Sequence, residues 1–524
     1  MGQRRRRCTS ALALILLSFA AGSAAQETER RTTRAAGARS LLNEGRTFLR
    51  SNDLDRARSC FETVLAGDPT SAEAYYLLGI VAERRRDLPA AEASFSSAIR
   101  YAPTMATAHD RLGFVLGQSG RTEEALREFE RAVQLEPSLF DAQYHLGATR
   151  WWTKDFSGAL PPLQAAVKLR PTHAEAHYYL GLALEHEGRL DAAVLQLQEA
   201  VRLNSRLAVA HTRLGVALQS LGDLDGAIAH LKTAVEIDPS ATDAQNSLGL
   251  VLSQKGRGDD AVAVLRRLVE SHPAYMPARL NLGMALMQQG NLTDAITVYR
   301  NLVELDPTNA EAFYNLGLAL KQHDEFASAE TELRHAMALD PSLPEAPFTL
   351  GVVLWQTGRP DEAATHFRDA IVRKPDYADA HYMLGTVLKQ QGANDAAAVQ
   401  FREAIKYRPS SAEAHLSLGR LLKQLGQAQA GDAELAEAER LNRYTAAAQA
   451  STFAVSVGME KLKVRNYAGA IAQFREAVRL APDNPQAHYQ LALALQRTGG
   501  RSEARMHFAE AQRLDPRLRL PPER

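Results

Sequence analysis

The stretch "HAEAH" sets His173 and His177 four residues apart, a spacing at which two imidazoles on one helical face can share a metal ion. A metalloprotease helix needs a glutamate directly after its first histidine, and here that residue is Ala174. His173 also falls in a turn, ahead of the helix that carries His177. Five more histidines, His109, His211, His381, His415 and His488, recur at the place of His177, four residues before a glycine or, for His488, before Ala492. A recurring place argues for packing, not for a metal. No glycine-rich phosphate loop is present, and no serine or cysteine has the local setting of an activated nucleophile. The chain is therefore expected to be no enzyme, with no metal site and no cofactor.

The glycines that mark those histidines organise the whole chain. "HYYLGLALEHEG" (177–188) reads as helix, yet Gly181 stands in its middle, where glycine costs about 1 kcal/mol relative to alanine. Equivalent glycines stand at 45, 79, 113, 147, 181, 215, 249, 283, 317, 351, 385 and 419, every step being 34 residues. Gly458 follows after 39, and Ala492 after another 34. Twelve residues beyond each of these fourteen positions lies alanine, or Gly431 in one case. Sixteen beyond lies Phe, Leu or Tyr, and 24 beyond lies proline except at Ser205 and Arg443.

A 34-residue period with this punctuation resembles the tetratricopeptide repeat family. The resemblance covers about residues 38–516. It implies an all-α fold: an α-solenoid of about 14 helix-turn-helix units, each a helix A and a helix B, wound into a right-handed superhelix. His177, Gln245 and His381 stand where the family commonly has tryptophan.

Physical reasoning reaches the same elements. Leu180 and Leu184 share one helical face, and Gly181 beside them is expected to let helix A approach the alanine of helix B. The prolines end helix B, and Glu175, Asp243 and Glu311 suit the positive end of the next helix. Each repeat touches mainly its neighbours, so the stack is quasi-one-dimensional. Between Asp432 and Val457 there is neither Gly nor Pro, and "NRYTAAAQA" (442–450) carries five extra residues. An extended helix B or an enlarged turn is expected there. The expected organisation is a signal peptide at 1–25, a flexible segment at 26–37, twelve repeats at 38–441, a register break at 442–450, two terminal repeats at 451–516 and a tail at 517–524.

With the glycine as position 8 of each repeat, positions 2, 5, 6, 9, 12 and 13 fall within an arc of roughly 120° on helix A. In proteins resembling this one, that arc lines the concave face. Tyr178, Tyr314 and Tyr382 occupy position 5, and Asn281 and Asn315 position 6. Position 13 is glutamine in six successive repeats: Gln254, Gln288, Gln322, Gln356, Gln390 and Gln424. All three tryptophans, Trp151, Trp152 and Trp355, lie on the same arc. Amides pair with both donors and acceptors of an extended peptide, and aromatic rings supply anchors. The expectation is a protein or peptide ligand held on this face. Glycans or cell-wall material stacked on the tyrosines and tryptophans form one alternative, and service as the regulatory partner subunit of a separate enzyme forms another.

The chain begins with Arg4, Arg5, Arg6 and Arg7, continues with "ALALILLSFAAGSA" and reaches "SAAQ". A basic start, a short apolar run and a small-residue site make a secretory signal peptide, so cleavage after Ala25 and a periplasmic or secreted location are expected. Arginine- and alanine-rich usage suggests a bacterial envelope. The mature chain would have no integral membrane segment. It would keep 57 basic against 61 acidic side chains and Cys60 alone, so it can form no internal disulfide, and its balance of charge speaks against nucleic acid as a partner.

Overall fold

The computed structural model describes residue 34, residues 36–516 and residue 518. The expected signal peptide and its cleavage site, and nearly all of the expected tail, lie outside the described residues. The chain divides into two compact units, Met1–Ala244 and Gln245–Arg524. Within each, helices pair as antiparallel hairpins and each hairpin stacks on the next. The all-α, α-solenoid class implied by the 34-residue period is the class of the structure.

In the first unit a helix over 36–50 pairs with Leu54–Gly67, and the same pairing runs on to Ala208–Ser220 with Leu224–Ile237. The second unit opens within the helix Thr242–Gln254 and closes with the hairpin Pro485–Arg497 and Arg501–Leu514. Some A helices start on side-chain caps, among them Ser71, Asn309 and Ser411. These satisfy backbone donors that the first turn leaves unpaired.

Gly181 meets a different partner from the one expected. A methyl group added there would lie 2.8 Å from Leu197 Cγ, while Ala193 approaches only through its carbonyl oxygen, at 3.4 Å. The glycine makes room for the large side chain sixteen residues on, and the alanine lets the backbones close. Leu197 is fully buried as a result. A second glycine series closes the A–B turns with positive φ, as at Gly188 (71°). Lys154 takes the same place with φ 65°, a left-handed conformation that costs an L-residue about 1–2 kcal/mol.

The segment 442–450 has no turn. One helix, Ala428–Lys463, runs for 36 residues. Its first part packs on Ala412–Gln424, with Lys423 Nζ 2.8 Å from Asp432. Its last part packs on Tyr467–Leu480, where Ser451 Oγ donates to the Ala477 carbonyl at 2.8 Å. It thus serves as helix B of one repeat and helix A of the next. The sequence is adapted to this. Twenty residues after the glycine, ordinary repeats carry an apolar residue, such as Val201, Val269 or Ile405. Here that residue is Glu439, exposed like Gln512 at the same place in the last repeat. Among the described residues, both lie on a helix B that no separate helix A follows.

Candidate functional site

The recurring histidines are structural joints. His177 Nε2 donates to the Pro171 carbonyl at 3.0 Å, and its Nδ1 meets Gln196 at 2.9 Å. His381 repeats this with Pro375 and Gln400, and His109 with Pro103 and Glu128. Each ring ties the end of the preceding helix B to its own hairpin, and all are buried. Two joints are histidine pairs: His211 with His230, and His488 with His507. His173 caps its helix, accepting from the Ala176 N–H, so His173 and His177 face different partners. Among the described residues no group of three metal-ligating side chains converges.

In the first unit the A-helix arc gathers aromatic rings. Trp151 is half-buried, and its Nε1 is buried without a hydrogen-bond partner. Its ring meets Trp152 edge-on at 5.1 Å, Tyr179 at 5.8 Å and Phe156 at 6.4 Å. Trp152 is 68% exposed, and its Nε1 donates to Tyr179 Oη at 3.2 Å. Tyr178 lies edge-on to Tyr179 at 5.2 Å, and burial pushes its phenol upward against the nearby Arg213. Phe156 stacks on His186 at 3.5 Å. Ionic groups stand on A helices of the same unit. Asp110, buried, lies 2.8 Å from His145 Nδ1, and Arg111 donates to Glu83 at 3.2 Å. Burial raises Glu83 and Glu185 above the usual carboxylate range, against the opposing pull of Arg111 and Arg213. Tyr179, Phe156 and His186 were not singled out in the sequence. Tyr179 and His186 stand at arc positions 6 and 13, which could have found them; Phe156 opens helix B and gives no such signal.

In the second unit the arc is built of amides. Gln254, Gln288, Gln322, Gln356, Gln390 and Gln424 are all exposed. Trp355, 36% exposed, donates through Nε1 to Gln390 at 3.1 Å. Ser253 donates to Gln288, and Asn281 to Asn246 at 2.8 Å. Asn315 is buried, Tyr314 and Tyr382 are half-buried, and the Tyr382 ring packs 5.8 Å from Phe401. Burial pushes the Tyr314 phenol upward while Thr349 hydrogen-bonds it. Asn315, Tyr314 and Tyr382 thus belong partly to the packing between helices, whereas Trp355 and the glutamines face outward.

The cross-repeat bonds follow one rule. Asp110–His145, Asn246–Asn281, Ser253–Gln288 and Trp355–Gln390 each join residues 35 apart. One repeat is 34 residues, so each A helix meets the next with a slip of one position. Side chains at positions 12 and 13 of neighbouring repeats therefore merge into one row, already half tied by its own hydrogen bonds.

Sequence models of the tetratricopeptide repeat match residues 42–106, 106–139, 153–208, 212–276, 310–343 and 348–401, and a TPR repeat model matches 283–324, 385–426 and 466–499. The chain belongs to the tetratricopeptide repeat family. No curated protein matches it. Among solved structures it is similar to YrrB, described as a TPR protein with an unusual peptide-binding site, at 27% identity over 35% of this chain and 95% of that one, with a TM-score of 0.33. It is also similar to MamA from Desulfovibrio magneticus RS-1, at 27% identity over 32% and 96%, with a TM-score of 0.30. A third is a thermophilic TPR protein of Thermus thermophilus, at 25% identity over 34% and 98%, with a TM-score of 0.31. Among the described residues no helix of this tetratricopeptide repeat protein is long and apolar enough to cross a membrane.

Proposed function

We propose that this protein is a non-catalytic scaffold that holds extended peptide segments of other proteins on the arc of its A helices, in the bacterial envelope. The observation that carries the reading is the exposed row at positions 12 and 13. In the first unit Trp152 stands open there, and in the second Trp355 stands beside a ladder of exposed glutamines. Large rings that a fold leaves uncovered suit partner anchoring, and primary amides serve a peptide backbone as both donor and acceptor. The arc is the concave side in this reading. Export rests on the basic start and short apolar run before Ala25; in this reading the mature chain begins at Gln26.

The test is panning of a random-sequence peptide display library against the purified mature chain, with Trp152→Ala and Trp355→Ala chains in parallel. Selected peptides should lose capture on one or both variants. Failure to select any peptide sequence would end the reading. The ring cluster of Trp151, Trp152 and Tyr179 favours a second reading, in which a glycan stacks on the first unit; binding of cell-wall oligosaccharides that fails in Trp152→Ala and survives in Trp355→Ala would favour it.

A further inference from the structure

Position 12 reads Lys321, Trp355, Lys389 and Lys423 in four successive repeats, each followed at position 13 by glutamine. The row lies wholly in the second unit. Lys321 and Lys389 are half-buried, and neither has an ion-pair partner among the described residues. Lys423 reaches Asp432 at 2.8 Å. The acidic residues of these A helices, Glu311, Glu345, Asp379 and Glu413, sit at position 2. That is ten residues and about 15 Å away along the helix. Asp379 is already held by Arg408 at 2.6 Å. A cation in the last turn of a helix meets the negative end of the dipole, which accounts for the sign of these charges. It does not supply Lys321 with an anion, although burial alone pushes that ammonium downward.

We infer that the second unit selects acidic extended peptides, with carboxylates on Lys321, Lys389 and Lys423 and an apolar side chain on Trp355. This rests on the peptide-scaffold reading and adds the chemistry of the partner. The spacing supports it. Neighbouring packed helices lie about 8–10 Å apart, and an extended peptide advances about 3.3 Å per residue, so each repeat spans about three peptide residues. The row therefore reads acid, apolar, acid, acid at every third position. The exposed glutamines, with Trp355 already tied to Gln390, border the row and suit the backbone between those side chains. A nucleic acid would also supply anions, but it offers no peptide groups to this amide ladder.

The experiment uses the full mature chain and a fluorescein-labelled peptide, Glu-Ser-Thr-Leu-Ser-Thr-Glu-Ser-Thr-Glu, followed by fluorescence anisotropy. A second peptide has Lys in place of each Glu, and a third probe is a labelled single-stranded oligonucleotide. The acidic peptide should bind, with affinity falling as salt is raised. Lys321→Gln with Lys389→Gln should weaken it about tenfold or more, with hydrogen exchange in residues 310–407 unchanged, and Trp355→Ala should weaken it as well. The lysine peptide should not bind. Equal affinity for both peptides, unchanged binding in the double variant, or no binding of the acidic peptide would overturn the inference. So would an oligonucleotide bound more tightly than the peptide and lost in the double variant. Library peptides selected without acidic residues, and still captured by the double variant, would leave the scaffold reading standing while this one falls. A library that yields nothing removes both.

Discussion

Truncating Trp152 and Trp355 separates anchoring from packing, because the two rings are covered to different degrees. Trp152 is 68% exposed, so about a third of it is covered: roughly 80 Å² of a side chain that can bury up to ~250 Å². At ~25 cal/mol per Å², losing that contact costs about 2 kcal/mol. The bond to Tyr179 is open to water and adds at most about 1 kcal/mol. Trp355 is 36% exposed, and the same reckoning covers roughly 160 Å² and gives about 4 kcal/mol. Compact unfolded chains lower both figures, but not their order. Long repeat arrays do not unfold in two states, so the assay is hydrogen exchange followed by mass spectrometry, read separately for residues 140–169 and 345–373. Exchange through unfolding should accelerate about thirty- to a hundredfold around Trp152→Ala and by roughly a thousandfold around Trp355→Ala. Equal acceleration at the two sites would refute the reasoning. It would mean that Trp152 is held as tightly as a core residue, and the exposed ring would lose its claim to be an anchor.

Four further outcomes follow from the geometry. Gly181→Ala should destabilise its hairpin by about 1–2 kcal/mol, because overpacking against Leu197 outweighs the gain in helix propensity; in a Leu197→Ala background the same change should become stabilising, and an additive double-mutant cycle would contradict the contact. Lys154→Gly should stabilise the first unit by about 1 kcal/mol by relieving its positive φ, measured as slower exchange in residues 140–169. Burial holds His211 and His230 below the ordinary histidine value; the Ser205 carbonyl favours the charged form of His211, while on His230 the neighbouring His211 opposes the charge and Asp223 favours it. Their contribution is therefore present above the unfolded-state value of 6.5 and lost as pH falls through the lowered folded-state values; protection of residues 208–237, taken as the ratio of intrinsic to observed exchange at each pH, should fall on going from pH 8 to pH 5, and His230→Gln, which copies the Gln196 joint, should remove that fall. Intact-mass analysis of the protein from its native host should show a chain beginning at Gln26, and a soluble, fully processed chain that keeps Met1 would contradict export.

The period was legible because its landmarks are backbone demands. A mid-helix glycine, a small residue twelve on and a large one sixteen on can be seen without knowing what touches what. The identity of the contact was not legible: Gly181 reads equally well against Ala193 or Leu197 until the helices are placed. Helical geometry put Trp152 and Tyr178 on one arc, yet exposure depends on the neighbouring repeat. Trp152 stands open while Trp151, one residue earlier, is wedged between Phe156 and Tyr179. Lys321 and Lys389 were overlooked although they share position 12 with Trp355, because a lysine in the last turn of a helix is ordinary until its lack of a carboxylate is known. The absence of Gly and Pro around 442–450 announced an irregularity, and Glu439 held the sign of its form. A charge where Val and Ile are usual means that nothing packs there.

The helix Ala428–Lys463 changes how disturbance can spread through the chain. Elsewhere, one hairpin influences the next through side-chain interfaces, so loosening is passed on in steps and can be absorbed at each. Across this helix the two neighbouring repeats share a backbone. Unwinding at Tyr444 removes the support of both at once, and torsion applied to the final hairpins is delivered undiminished to the repeat around Gly419. At ~1.5 Å per residue the helix is a rod of about 54 Å. It is the single place among the described residues where the chain behaves as a shaft and not as a stack of plates.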